Sequence, residues 1–142
     1  MAYPTAADLV TRYGDDLVTS LSDRADEPTG TYDEAVVAAA IEAADAEVDG
    51  YLAGRYVLPL SSTPVLVKRI SEALAIWHLH VTEPDKQISE GHKVAQQQLR
   101  DIADGRIVLQ VDGVQPDTTT SGQAQVTDRA RPFEAAKMTG FI

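Results

Sequence analysis

Apolar residues recur at intervals of three and four along most of the first 105 positions, which is the spacing of one face of an α-helix. The clearest run extends from Asp33 to Leu52. A second begins at Pro64 and continues to about Val81, and a third covers roughly Ser89 to Asp104. The positions expected to face inward are Val37, Ile41, Ala44, Val48, Leu52, Leu66, Ile70, Leu74, Trp77, Val81, Val94, Ala95, Leu99 and Ile102. The pattern therefore predicts three long helices.

Two shorter helical segments precede the long ones. Thr5 and Asp8 fit a capping box, which opens a helix from about Ala6 to Tyr13. Gly14 suits the left-handed position that ends such a helix, and a further turn covers Asp15 to Leu21. We therefore predict an all-α fold, a small bundle of four to five helices.

The pattern changes after Gly105. Residues 106–111 are rich in β-branched side chains, which predicts one short strand. Residues 115–125 form a polar linker of Thr, Ser, Gly, Gln, Pro and Asp, after which apolar side chains return. We therefore divide the chain into a helical domain, residues 1–105, and a C-terminal part, residues 106–142, that holds the short β element, the linker and an extended arm.

The arm, residues 126–142, carries apolar and basic anchors where chain ends are usually polar and frayed. These anchors are Arg131, Phe133, Met138, Phe141 and Ile142. A polar spacer that ends in spaced apolar anchors is typical of an arm that docks on another molecule. The spacing supports equally well an arm that folds back onto its own helices.

The charge of the chain is concentrated in its N-terminal third. The net charge is −10, and residues 1–54 hold 12 acidic and two basic residues, whereas residues 55–142 hold ten of each. A surface of this kind repels phosphates, which argues against sequence-specific binding to nucleic acid. No basic segment followed by an apolar stretch opens the chain, and no apolar run has the roughly 20 residues that a membrane helix needs, so neither secretion nor a membrane is expected.

Three acidic residues, Glu42, Asp45 and Asp49, fall on one predicted helical face. A negative face of this kind could be a functional surface that repels the phosphates of DNA. An ordinary solvated face explains the same pattern. A metal site is not expected, because the Asp-x-Asp-x-Asp-Gly loop of a calcium hand is missing and no partner ligands are evident.

The sequence offers no set of residues for catalysis. Cysteine is absent, which excludes thiol chemistry and thiolate metal sites. His78 and His80 lie about 200° apart around a helix, so they cannot share a metal, and His92 stands alone. No metalloprotease, nucleophile-elbow or phosphate-loop motif occurs. We therefore expect neither enzymatic activity nor a cofactor.

Tyr51, Arg55 and Tyr56 cluster where a long helix gives way to a Leu-Pro-Leu turn. These side chains could contact a neighbouring subunit, with Arg55 pairing with an acidic residue across the interface. Alternatively, Arg55 caps its own helix and the two tyrosines complete the core.

Short motifs follow one another in order along almost the whole chain. The most specific is the run from Asp49 to Leu60, Asp-x-Tyr-Leu-x-x-Arg-Tyr-x-Leu-Pro-Leu. The others are Tyr3, Asp8-Leu9, Arg12-Tyr13-Gly14, Leu21-Ser22-Asp23, Ile41-x-x-Ala44, which leads into that run, Pro64, Leu74-Ala75, Leu99-x-x-Ile102-x-x-Gly105, Arg131-x-Phe133 and Met138-x-Gly140-Phe141. In these motifs the chain resembles the Mu-like prophage head–tail connector (adaptor) family of tailed bacteriophages, everywhere except the linker.

The resemblance implies a structural adaptor in the neck of a phage particle, assembled in the cytoplasm of the bacterial host. Copies of the chain, usually twelve, would form a ring beneath the portal protein, with the arm reaching up to the portal. The lower surface would receive a stopper or tail-completion protein, and DNA would pass through the central channel during ejection. The acidic residues Glu42, Asp45 and Asp49 could line this channel, where their charge would keep DNA from adhering.

Two other functions remain open at this stage. The chain could itself be the stopper or tail-completion protein of the same neck, and such proteins tend to be rich in β-structure. It could also be a cytoplasmic helical binding module, such as an assembly chaperone, which would leave before the particle is complete.

Overall fold

The computed structural model of the protein describes residues 2–112, and this part of the chain contains five α-helices and no β-strand. The helices are α1 (Ala6–Tyr13), α2 (Asp15–Ser22), α3 (Glu34–Leu52), α4 (Val65–Leu79) and α5 (Lys86–Ala103). The predicted all-α fold is therefore confirmed. The arm with its five anchors lies outside the described residues.

The start of α1 is fixed by the capping box that the sequence predicts. The Asp8 amide donates to Thr5 Oγ1 at 3.3 Å, and the Thr5 amide donates to Asp8 Oδ2 at 2.8 Å. Lys68 on α4 also donates to Asp8, at 2.8 Å. This bond, together with those from Thr5, lowers the pKa of Asp8 to about 2. One side chain thus caps α1 and ties it to α4.

The core lies between α3 and α4, with α5 packed against both and the α1–α2 pair covering the remaining side. The predicted stripe of α3 is buried at every position, and α4 is buried nearly all round because helices pack on several of its faces. The largest side chains that are fully buried on α4 and α5 are Val67, Ile70, Leu74, Ile76, Leu79, Leu99 and Ile102.

Two positions that the spacing assigned to the core are exposed. Val81 is 76% exposed because α4 ends at Leu79, two residues earlier than predicted, and His80 has extended backbone angles. Val94 is 54% exposed although it lies within α5. Helical spacing shows which residues share a face, but the neighbouring helices decide how much of that face is covered.

The predicted strand over residues 106–111 is wrong. No strand lies beside these residues within the described part of the chain, and a strand cannot form a ladder alone. The Leu109 amide donates instead to Tyr56 Oη at 2.8 Å, and the Leu109 side chain is buried in the core. Further along, Ser61 Oγ donates to the Asp112 carbonyl oxygen at 3.2 Å. The segment therefore closes one end of the bundle.

Candidate functional site

The residues singled out at the end of α3 hold two parts of this chain together. Tyr56 is only 2% exposed, and its hydroxyl oxygen accepts the hydrogen bond from the Leu109 amide. Its side chain is therefore part of the core. Tyr51 is half-buried against the same core. Arg55 lies against Gly105 so closely that a Cβ added to the glycine would be 2.6 Å from Arg55 Cζ. Of the three, only Tyr51 and Arg55 retain surface that a neighbouring subunit could contact.

The three acidic residues of α3 do not form one solvated face. Glu42 is exposed, but Asp45 is only 7% exposed and accepts hydrogen bonds from Ser71 Oγ at 2.6 Å and from the Tyr3 amide at 3.1 Å. Asp49 accepts the hydroxyl of Tyr3. Burial raises the pKa of Asp45, and burial together with the Asp49 contact raises the pKa of Tyr3. Asp45 therefore cannot line a channel, because it fastens the N-terminal segment to the bundle.

The sequence contained a signal for the burial of Asp45. It stands four residues after Ile41 and three before Val48, so it lies on the apolar stripe itself. A carboxylate at such a position needs hydrogen-bond partners to remain in the core. What spacing could not supply was the identity of those partners, Tyr3 and Ser71, which come from distant parts of the chain.

A polar cluster joins α3, α4 and α5 on another side of the bundle. The rings of His92 and Trp77 stack with their centroids 4.2 Å apart and their planes inclined by 13°. Glu47 lies beside them, with Oε2 at 3.4 Å from His78 Nε2 and Oε1 at 3.5 Å from Gln96 Nε2. Within residues 2–112, no three His, Asp or Glu side chains are grouped so that they could hold a metal ion.

This cluster makes stability depend on pH. Burial lowers the pKa of His92, His78 lowers it further, and Glu47 opposes both effects. The unfolded chain then binds the proton more readily, so the contribution of His92 is complete above a pH of about 6.5, the ordinary pKa of histidine, and is lost as the pH falls from there through the lowered pKa of the folded state. We expect His92→Phe to flatten the pH dependence of the free energy of unfolding, measured by urea denaturation between pH 8 and pH 5. Glu47→Gln should steepen it, and a slope unchanged in both variants would contradict this assignment.

A long groove separates the α1–α2 pair from α5, with α4 as its floor. It has a volume of about 690 Å³. One wall is formed by the end of α1 and the start of α2, and the other wall is one face of α5. We call this feature the α4–α5 groove. The lining residues are Arg12, Tyr13, Leu17, Leu66, Arg69, Ile70, Ala73, Ile76, Asp85, Gln87, Ile88, Gly91, Val94, Ala95 and Gln98. Sequence spacing missed this groove because it predicted that Val94 would be covered.

The Arg12 side chain, which lines the groove, is held in place by α4. Arg12 Nη1 donates to Glu72 Oε2 at 2.7 Å and to the Arg69 carbonyl oxygen at 3.1 Å. Its guanidinium also lies 5.3 Å from the centre of the Tyr13 ring.

In the part of the chain that the structure describes, every helix is too short or too polar to cross a membrane.

Comparison with known proteins places the chain among phage and prophage proteins. The family model described as Bacteriophage Mu, Gp36 matches residues 3–128. Gene product J of Escherichia phage Mu is 32% identical over 145 residues, which cover 100% of both chains. The Mu-like prophage FluMu protein gp36 of Haemophilus influenzae is 35% identical over 77 residues, which cover 54% of this chain and 55% of the relative.

Proposed function

Because this chain belongs to the bacteriophage Mu Gp36 family, we propose that it is a structural head-to-tail adaptor in the neck of a tailed phage. In this role it binds the portal protein through its arm and presents the opposite surface to a stopper or tail-completion protein. Copies of the chain, twelve by its resemblance to connector proteins, form a ring that leaves a channel for DNA. The role requires no catalysis and no cofactor.

The observation that carries this proposal is that residues 2–112 complete a core of their own. Side chains from all five helices are fully buried, and Leu109 closes the end of the bundle. The core forms without the apolar anchors of the arm, Phe133, Met138, Phe141 and Ile142, which are therefore available to a partner in the particle. Each is worth roughly 1.5–3 kcal/mol when fully buried.

The proposed ring explains how a short arm can hold two assemblies together. Ordering the arm on a partner costs conformational entropy, which offsets much of the gain from the anchors, so one arm binds weakly. Repetition around a ring multiplies weak contacts into firm attachment without any new contact. Within the ring we propose that Tyr51 and Arg55 contact the adjacent copy, and that the exposed Glu42 faces the channel, where its charge repels DNA.

The all-α fold argues against the rival stopper role, since such proteins tend to be rich in β-structure. An assembly chaperone remains a distinct alternative because it leaves before the particle is finished. Quantitative mass spectrometry of purified particles separates the two. We expect about as many copies of this chain as of the portal protein, and absence of the chain from finished particles would contradict the proposal.

A further inference from the structure

The α4–α5 groove exposes apolar surface in a concave setting. Val94 is the clearest case, since it occupies a helical position suited to burial and yet faces the groove. Leu17 and Ile88 are partly exposed on the walls, whereas Ile76 on the floor is only 1% exposed. A groove of several hundred cubic ångströms that is lined by both polar and apolar side chains is typical of a binding site.

We propose that in the free subunit the α4–α5 groove is occupied by the arm, residues 126–142, of the same chain. The arm leaves the groove when the subunit assembles, so the groove stores the anchors until the portal is present. This inference rests on the proposed function in one respect, because release has a purpose only if the arm then binds another protein.

The point at which the described chain ends favours this occupant. Asp112 is held beside Ser61 by the bond from Ser61 Oγ. Ser61 stands three residues before Pro64, which is the N-cap of α4. Leu66 follows in the first turn of α4 and lines the groove. The rest of the chain therefore continues from a point close to one end of the groove.

The length of the intervening chain also favours the arm. Residues 113–132 separate Asp112 from Phe133, and 20 residues can reach up to about 66–72 Å when fully extended. The 15 residues of α4 span about 22 Å. The intervening chain is therefore long enough for Phe133 to reach any point of the groove, and a ligand tethered in this way has an effective concentration in the millimolar range. The arm of the same chain therefore outcompetes that of a second copy in dilute solution.

The chemistry of the two partners is complementary. The arm offers two phenylalanines, a methionine and an isoleucine within ten residues. The groove offers the exposed Val94 and the partly exposed Leu17, Leu66 and Ile88 and, at Gly91 on α5, a position where no side chain blocks access. Burial of the anchors there removes them from water and from unspecific contacts between free subunits.

The test uses the fact that the chain has only two methionines, Met1 and Met138. Full-length protein with ¹³C-labelled methionine methyl groups shows two signals, which Met138→Leu assigns. The chain lacks native cysteine, so Gly91→Cys carries a single nitroxide label into the groove, and open space at this position makes the change compatible with the fold. Ala39→Cys, on the exposed face of α3, carries the label in the matched control.

We expect the Gly91 label to reduce the Met138 signal about tenfold, which corresponds to a docked-to-free ratio of about ten. The Ala39 label should leave it nearly unchanged. Val94→Glu, added to the Gly91-labelled protein, should restore the signal, because it places a charge in the groove at an exposed position. An unaffected signal, or equal loss with both labels, would overturn the proposal.

Mixing experiments show whether the docked arm belongs to the same chain as the groove or to a second copy. Nitroxide-labelled protein without ¹³C is mixed with ¹³C-labelled protein without nitroxide. Signal loss in the mixture would mean that the groove binds the arm of a second copy, which would contradict docking within one chain. The readout does not involve a particle, so its failure leaves the adaptor proposal standing. Conversely, if the arm docks in the free subunit but can be removed without affecting assembly, the proposed adaptor role fails and the docking proposal stands.

Discussion

Deletion of the chain from Pro132 onward is expected to abolish the joining of portal-bearing capsids to tails, while the helical domain stays folded. The deletion removes Phe133, Met138, Phe141 and Ile142, each worth roughly 1.5–3 kcal/mol when buried against a partner. Because the loss repeats at every copy in the ring, occupancy on capsids should fall below detection rather than by a modest fraction. The measurement is the amount of adaptor that sediments with capsids, alongside urea denaturation of the free protein.

A matched control distinguishes the effect of losing the apolar anchors from the effect of shortening the chain. It retains all 142 positions but replaces the four apolar anchors with serine. We expect this variant to fail in joining as completely as the deletion. A three-residue deletion within the polar linker, residues 115–125, should be tolerated. Occupancy of capsids by the truncated protein at the level of the intact protein would refute the arm as the portal contact.

Gly105→Ala is expected to have the largest effect on stability among single changes at the candidate site. Gly105 has φ of +79°, which an L-residue adopts only at a cost of about 1–2 kcal/mol. The new Cβ would also meet the guanidinium of Arg55 and displace it. We expect the free energy of unfolding to fall by about 1–2 kcal/mol in urea denaturation.

Two comparisons identify the cause of this loss. Gly50→Ala lies inside α3 with open space around the new methyl group, and it should stabilise the protein by about 0.5–1 kcal/mol. Combining Gly105→Ala with Arg55→Ala should cost less than the sum of the two single changes, since the steric conflict then disappears. Strict additivity would show that Arg55 and Gly105 do not interact, and no loss in Gly105→Ala would contradict the backbone argument.

Features set by local spacing were predicted correctly from the sequence. The stripe from Val37 to Leu52 identified the inner face of α3, and Thr5 with Asp8 identified the start of α1, because both depend on residues close together in the chain. Gly14 does have a positive φ, but its ψ of 148° places it outside the left-handed helical region. That value depends on how α2 follows α1, which no motif specifies.

Features set by distant contacts were missed. Asp45 was assigned to a solvated face because its bonds to Tyr3 and Ser71 span 42 and 26 positions. Val94 was assigned to the core because spacing does not show that α1 and α2 leave a groove beside it. The strand at residues 106–111 was predicted from β-branched side chains alone, although a strand also requires a partner. The anchors of the arm remain a prediction.

Lysine cross-linking in intact particles tests the central claim most directly, because the arm carries a single lysine, Lys137. If the arm binds another molecule in the assembled neck, Lys137 should cross-link to the portal protein in purified particles. In the free subunit it should instead cross-link to Lys86 or Lys93 on α5. Particles in which Lys137 cross-links only to the helices of its own chain would contradict the account.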